Sequence, residues 1–216
     1  TPFTLNPERS RQWDAGLALR SRELDLTLSL FSADIKDYLL YNSKSNQVRN
    51  IDAQTRGGEL EGRWQFAEQW RLDGGLAVVY GENRSDNKPL AQMPPLDGKL
   101  ALGWQPNEVL NFTLLGRAVA AQDRVDLWSG TVAGQDQGET PGFFTMNLSG
   151  AWQFAKGWQL SAGVDNLFDT FYYEHLSKSV HSSQAGLGYE QSGRIPEPGR
   201  SYWLSVNYRF ASAGVL

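Results

Sequence analysis

The sequence predicts an all-β protein: a transmembrane antiparallel β-barrel, of which this chain supplies about nine strands of a larger one. Three observations predict it. Apolar and polar residues alternate with period two almost everywhere, aromatic rings gather at the mouths of short turns, and short connections alternate with long ones. The 216 residues include 8 Trp, 8 Tyr, 10 Phe and 22 Gly but no Cys. Apolar residues make up 40% and mean hydropathy is −0.46. No apolar run reaches the roughly 18–20 residues that a membrane helix needs, yet a membrane barrel alternates and keeps the mean hydropathy of a soluble protein. Net charge is −4 with both signs well mixed, and the absence of a basic stripe argues against nucleic acid. Without cysteine there is no disulfide scaffold and no thiolate metal site.

The strands follow in order. Trp13, Ala15, Leu17 and Leu19 mark the first, 12–20, and Leu24, Leu26, Leu28 and Leu30 the second, 23–36. Leu60, Trp64 and Phe66 belong to 49–66; Trp70, Leu72, Leu76, Val78 and Tyr80 to 70–81. Leu100, Leu102 and Trp104 give 97–105, and Leu110, Phe112 and Leu114 give 109–122. Phe144, Met146, Leu148, Trp152 and Phe154 set 143–154; Trp158, Leu160, Ala162 and Val164 set 158–168. Tyr202, Leu204, Val206, Tyr208 and Phe210 close the series at 200–210. The opposite faces carry charge in mid-strand, at Asp25, Glu59, Glu61, Arg63, Asp73, Lys99, Arg117 and Asp165.

A β-sandwich also alternates, so the strand ends must discriminate. Trp64-Gln65-Phe66-Ala67-Glu68-Gln69-Trp70 recurs as Trp152-Gln153-Phe154-Ala155-Lys156-Gly157-Trp158, with a looser copy at Trp104-Gln105-Pro106-Asn107-Glu108. A sandwich would spread its rings through one core layer, whereas a membrane–water interface collects them at one level. The joints near 21–22, 67–69, 106–108 and 155–157 are short; those at 37–48, 82–96, 123–142 and 169–199 are long and polar. Outer-membrane barrels have this asymmetry, with the long loops outside the cell. Their strand number is normally even, so nine strands imply further strands upstream.

The tail carries a resemblance. Gly163-Val164-Asp165-Asn166-Leu167-Phe168-Asp169, the aromatics Phe171, Tyr172 and Tyr173, then Pro198-Gly199-Arg200 and a strand ending Tyr208-Arg209-Phe210 resemble the C-terminal end of TonB-dependent outer-membrane receptors. Asn6-Pro7-Glu8-Arg9-Ser10 and Ile35-Lys36-Asp37-Tyr38 are similar to that family too. Tyr173-Glu174-His175-Leu176 with Arg194-Ile195-Pro196-Glu197-Pro198-Gly199-Arg200 most resembles its copper-receptor branch. The resemblance implies a 22-stranded barrel with an N-terminal plug, outer-membrane lipid around it, and an inner-membrane TonB complex as energy source. Residues 1–210 then form the C-terminal part of the barrel, with the plug and upstream strands lying before them. Residues 211–216 are an extension beyond the terminal aromatic that the barrel-insertion machinery reads, and they depart from the family's pattern.

For metal chemistry the candidates are His175 and His181 in the longest loop and Met93 in Gln92-Met93-Pro94-Pro95, because imidazole and thioether suit copper. The plainer alternatives are two exposed loop histidines and a methionine packing its loop. The copper branch's known ligand positions match nothing here, so none is carried over, and copper is expected as a transported ion rather than as a tightly bound cofactor. Asn166, Leu167, Phe168 and Asp169 read as a structural corner, and Pro198, Gly199 and Arg200 as the turn into the last strand, which closes at Phe210. The lumen-side charges suit cross-strand ion pairing in a wet interior. The expected function is energised uptake of a scarce nutrient, copper first and a ferric siderophore second. A rim-active hydrolase would need a pair such as His175 with Asp169, which no serine motif accompanies; a passive channel fits poorly with the tail motifs. The chain is not expected to be an enzyme.

Overall fold

The computed structural model describes residues 5–177 and 193–210. His181 and residues 211–216 lie outside them. Twelve strands form one antiparallel sheet, and nine of them are long. These are β1 (Arg9–Arg20), β2 (Leu24–Asn42), β3 (Gln47–Ala67), β4 (Trp70–Asn83), β6 (Asp97–Asn107), β7 (Leu110–Val119), β10 (Phe143–Ala155), β11 (Trp158–Asp165) and β12 (Ser201–Tyr208). They pair in chain order from β1 to β12 as an open arc of barrel wall. The three short strands, β5 (Lys88–Pro89), β8 (Ser129–Thr131) and β9 (Gly134–Gln135), sit inside long loops.

The expected strand positions hold to within a few residues, with one correction. The connection expected at 37–48 is only residues 43–46, because β2 and β3 continue as paired strands to Asn42 and Gln47. Polar composition there signals a strand that has risen out of the lipid. A bulge between Ile35 and Tyr38, where Asp37 takes a φ of 58°, marks the transition.

Cross-strand register fixes the two faces, since paired residues share a side of the sheet. Leu28, Leu60 and Leu76 align across β2, β3 and β4. Leu72, Leu102, Leu114, Leu148, Val164 and Tyr202 align from β4 to β12. No interior covers this row: Leu60, Leu76 and Leu148 remain exposed, as do Leu100 at 55% and Leu204 at 70% on the same face, so it faces the bilayer. On the other face, Arg63 and Arg71 both donate to Asp73, at 2.7 and 2.6 Å. The wet-interior ion pairing expected of that face is present, while Glu59 and Glu61 on the same face make no ion pair among the described residues.

At the end with short turns, rings in contact form two runs along the outer face, the first mostly stacked and the second tilted or edge-on. One passes through Trp64, Phe66, Trp70, Trp104 and Phe112 with centroids 5.4–6.4 Å apart. The other passes through Trp152, Phe154, Trp158, Tyr208 and Phe210 at 4.7–6.2 Å. Trp64 and Trp152 are each 48% exposed. No sealed core holds them, which removes the sandwich alternative. The turn between β10 and β11 needs Gly157, whose φ of +79° places an added Cβ 2.8 Å from the Arg209 carbonyl oxygen.

Buried side chains concentrate at the other end. Leu40, Ile51, Ala53 and Leu90 form the one buried apolar cluster among the described residues, with Ile35, Tyr38 and Met93 against it. The segments after β4 and β7 fold inward there over the inner wall, and β8 crosses to pair with Tyr41 and Asn42 of β2.

Candidate functional site

The loop end is where distant parts of the sequence converge, and its centre is a buried polar knot. Asp136, following β9, is fully buried. The Gln92 backbone N–H and side-chain amide donate to its Oδ1 at 2.9 and 3.0 Å, and the Asp126 N–H donates to Oδ2 at 2.9 Å. His175, 4% exposed, brings Nε2 to 3.7 Å from that Oδ1, an ion-pair distance, while Nδ1 lies 3.0 Å from Thr140 Oγ1. Burial acts to raise the pKa of Asp136, but the contact with His175 and the amide donors outweigh it and hold the carboxyl below the usual aspartate range. The knot therefore carries an ionised carboxylate at neutral pH, satisfied by three loops at once.

A second tie lies beside it. Arg117, near the loop end of β7, donates Nε and Nη2 to Asp97 (3.0 and 2.7 Å) and forms a forked contact with Glu174 through Nη1 and Nη2. Its guanidinium stands 5.3 Å over the Phe143 ring. Arg194 donates to the Gly138 carbonyl at 2.8 Å, fastening the chain ahead of β12 to the loop that holds Asp136. No buried side-chain polar atom among the described residues lacks a partner.

The anticipated ligand residues are distributed as follows. His175 is no exposed loop side chain: both ring nitrogens already have neighbours. Met93 packs against the apolar cluster, with Sδ 2.5 Å from where a Cβ on Gly81 would stand. Its carbonyl accepts from the Gln122 side chain at 3.0 Å, and Gln122 pairs its backbone with Thr140. His175 and Met93 thus enter one assembly through Thr140 and Gln122, each occupied by packing or hydrogen bonds. Among the described residues no group of three or more His, Cys, Asp or Glu is placed to hold a metal ion. Nor do His175 and Asp169 pair: Asp169 accepts from the Arg200 N–H at 2.7 Å instead. A cavity of about 270 Å³ opens beside Met93, lined by Tyr80, Gln122 and Arg124 among others.

The corner residues meet as well. Asn166 is 4% exposed with a φ of 51°; its Oδ1 accepts from the Thr170 N–H at 2.9 Å, and its Nδ2 donates to the Thr170 carbonyl at 2.8 Å. Nδ2 also reaches the Pro198 carbonyl at 3.4 Å. The Leu167 N–H donates to Met146 O, and the Phe168 ring lies 6.4 Å from Phe144. A Cβ on Gly199 would stand 2.7 Å from Asp169 Oδ1, so the carboxylate that caps Arg200 requires glycine there. Phe210 is 81% exposed, its ring 4.7 Å from Tyr208.

Comparison with known proteins bears on the whole arc. A family model of the TonB-dependent receptor-like β-barrel matches residues 2–167. A solved structure of the copper transporter OprC superimposes with a TM-score of 0.89 at 34% identity, covering 96% of this chain and 32% of that one. The ferrienterobactin receptor of Escherichia coli (strain K12) is 29% identical over 141 residues, 62% of this chain and 18% of that receptor. The metal-pseudopaline receptor CntO of Pseudomonas aeruginosa is 29% identical over 185 residues, 81% of this chain and 26% of that receptor. The chain spans less than a third of the length of each of these relatives.

Proposed function

This chain belongs to the TonB-dependent receptor β-barrel family of the Gram-negative outer membrane, and from that premise we propose that it serves energised uptake of a scarce metal nutrient, with copper ion as the first candidate cargo. The observation that carries the copper reading is the 34% identity and close superposition with the copper transporter OprC across almost the whole chain. The wall fits the wider reading. It presents apolar side chains to lipid and charged ones to the interior, and loop segments fold inward over its inner face at the loop end. Residues 1–210 act as barrel wall and 211–216 as an extension past it. The working receptor would add a plug and further strands, couple to the TonB complex for energy, and use the barrel-insertion machinery for assembly. Transport, not catalysis, is the proposed activity: Thr140 beside His175 is sealed from substrate, with 4% of its surface exposed.

A second reading, a ferric or other metal chelate as cargo, is favoured by the likeness to the ferrienterobactin and metal-pseudopaline receptors. Calorimetry on the full-length receptor separates the two. Copper binding without chelate binding is the expected result, and binding of a ferric chelate alone removes the copper proposal. His175, His181 and Met93 enter as ligands only in its most breakable form. A metal on His175 has to displace Thr140 from Nδ1 or Asp136 from Nε2. His175→Ala then weakens copper binding by tenfold or more, and an unchanged affinity assigns His175 to loop fastening.

A further inference from the structure

The outer face of β1–β4 changes character as it rises toward the loops. Register places Arg9 and Arg11 of β1, Lys36 of β2 and Arg56 of β3 on the same side as Leu17, Leu28 and Leu60, the lipid side. Arg84 joins them from beyond β4, its Nη2 donating to Gln54 at 2.6 Å. Five exposed cations thus meet three acids on that face, Asp34, Asp52 and Glu82, an excess of two positive charges. The two ion pairs there are loose, Arg84–Asp34 at 3.8 Å and Arg56–Glu82 at 3.9 Å. Arg9, Arg11 and Lys36 make no ion pair among the described residues. The nearby acids are otherwise engaged: Glu8 accepts from the Leu39 N–H and Asp37 from the Asn6 amide.

Two features point to an anion from outside the chain. Arg9 stands directly opposite Lys36 in the antiparallel register, and like charges so placed repel unless a counter-charge lies between them. The height is the second. Trp64 marks the ring belt at the turn end, and Arg56 and Gln54 lie eight and ten residues further along β3. At about 3.4 Å per residue and a tilt near 40°, that is roughly 21–26 Å of vertical rise, against an apolar band of about 25 Å. The cations therefore stand where the apolar band of the loop-side leaflet ends. Trp13, 73% exposed on the same face and one side-chain repeat below Arg11, supplies the amphipathic ring expected at that level. On the far side of the arc the same face carries rings instead, with Phe144 against Phe168.

We propose that Arg9, Arg11 and Lys36, flanked by Arg56 and Arg84, form a binding site for the phosphate groups of anionic lipid headgroups in the outer leaflet. Guanidinium forks match phosphate oxygens in pairs, and the site lies on a face, so pairing of a further strand with the free edge of β1 leaves it open. The proposal rests on the membrane placement of the wall and is independent of the cargo.

The test uses the full-length receptor in nanodiscs of phosphatidylcholine with or without phosphatidylglycerol, with retained lipid counted by native mass spectrometry. The expected result is selective retention of phosphatidylglycerol, lost in Arg9→Gln/Arg11→Gln/Lys36→Gln at about fivefold per cation removed. Selectivity should survive in Arg9→Lys/Arg11→Lys/Lys36→Arg, which keeps the charge, and in Arg63→Gln on the inner wall. Equal retention of both lipids by the unmodified receptor, or selectivity that persists in the neutralised variant, overturns the proposal. So does displacement of the lipid by millimolar inorganic phosphate, which would reveal a site for the free anion. Copper or chelate binding measured on the same samples reports on the cargo separately.

Discussion

The two ends of this wall are built on opposite principles. At the turn end, local sequence does everything: a seven-residue pattern recurs at 64–70 and 152–158, and contacting rings on the outer face do the anchoring. At the loop end, residues dozens of positions apart are tied through buried polar contacts, with Gln92, Asp126, Asp136 and His175 meeting at one carboxylate. The difference teaches that lipid can hold a strand edge-to-edge with exposed apolar side chains, whereas a segment standing in water must make its own interior.

The largest effect should therefore come from the knot. Asp136→Ala strands two amide donors from Gln92 and one from Asp126 in a buried space and leaves His175 without its partner. The expected cost is about 3–5 kcal/mol of local stability. Hydrogen exchange on the full-length receptor should show residues 88–96 and 120–142 opening while β3 and β4 stay protected. Exchange spreading evenly through the wall would merge the two ends into one cooperative unit. The same carboxylate gives a pH test. Its pKa is depressed on folding, so its contribution is complete above the unfolded value of about 3.9 and disappears as pH falls through the folded value. The loops should keep their protection from pH 7 to 4 and open below; opening near pH 6 would point to a different controlling group.

Next in size is a charge on the lipid side. Leu60→Arg places a cation within the outer row of Leu28, Leu60 and Leu76, and should cost about 2–4 kcal/mol in unfolding from a bilayer. Glu59→Gln, one residue away but on the inner wall, should change little. Equal costs would mean that the two faces are not differently solvated.

These contrasts also explain what could be read beforehand. The nine long strands, their faces and the ring belt follow from period two and from repeated words in the sequence, because lipid acts on each strand separately. The corner at Asn166 and Asp169 was legible as a motif, and its geometry supplies the reason: both residues take positive φ, at 51° and 55°, and hold Pro198 and Arg200. The rise of β2 and β3 above the lipid was missed, since Asn, Ser and Gln at 42–47 look like loop until a partner strand is known. Asp136, Thr140 and Gln92 carried no local signal at all. Their role exists only because β8 crosses the arc to reach β2, and long-range pairing of that kind leaves no period in the chain.

The corner ranks third. Asn166→Ala loses the side-chain contacts to Thr170 and Pro198 and keeps a strained positive φ, at a cost of about 1–3 kcal/mol. Asn166→Gly relieves the strain and should recover part of that loss. If the two variants are equally unstable in urea unfolding, hydrogen bonding alone accounts for the corner.

The smallest expected effect tests the turn end on its own terms. Trp104 lies between Trp70 and Phe112, with centroids 5.6 and 5.5 Å away. Trp104→Leu keeps an apolar side chain on the lipid face but removes both ring contacts and the indole N–H. Ring pairs add about 0.5–1.5 kcal/mol beyond the area they cover, so the loss in bilayer unfolding should be near 1 kcal/mol. The decisive readout is the dependence on surroundings. An indole at the headgroup level has an amphipathic environment in a bilayer that a detergent micelle reproduces poorly, so the penalty should be larger in lipid than in detergent. A penalty of the same size in both would reduce the belt to side chains stacking on one another, and the turn end would then, like the loop end, be held by contacts within the chain.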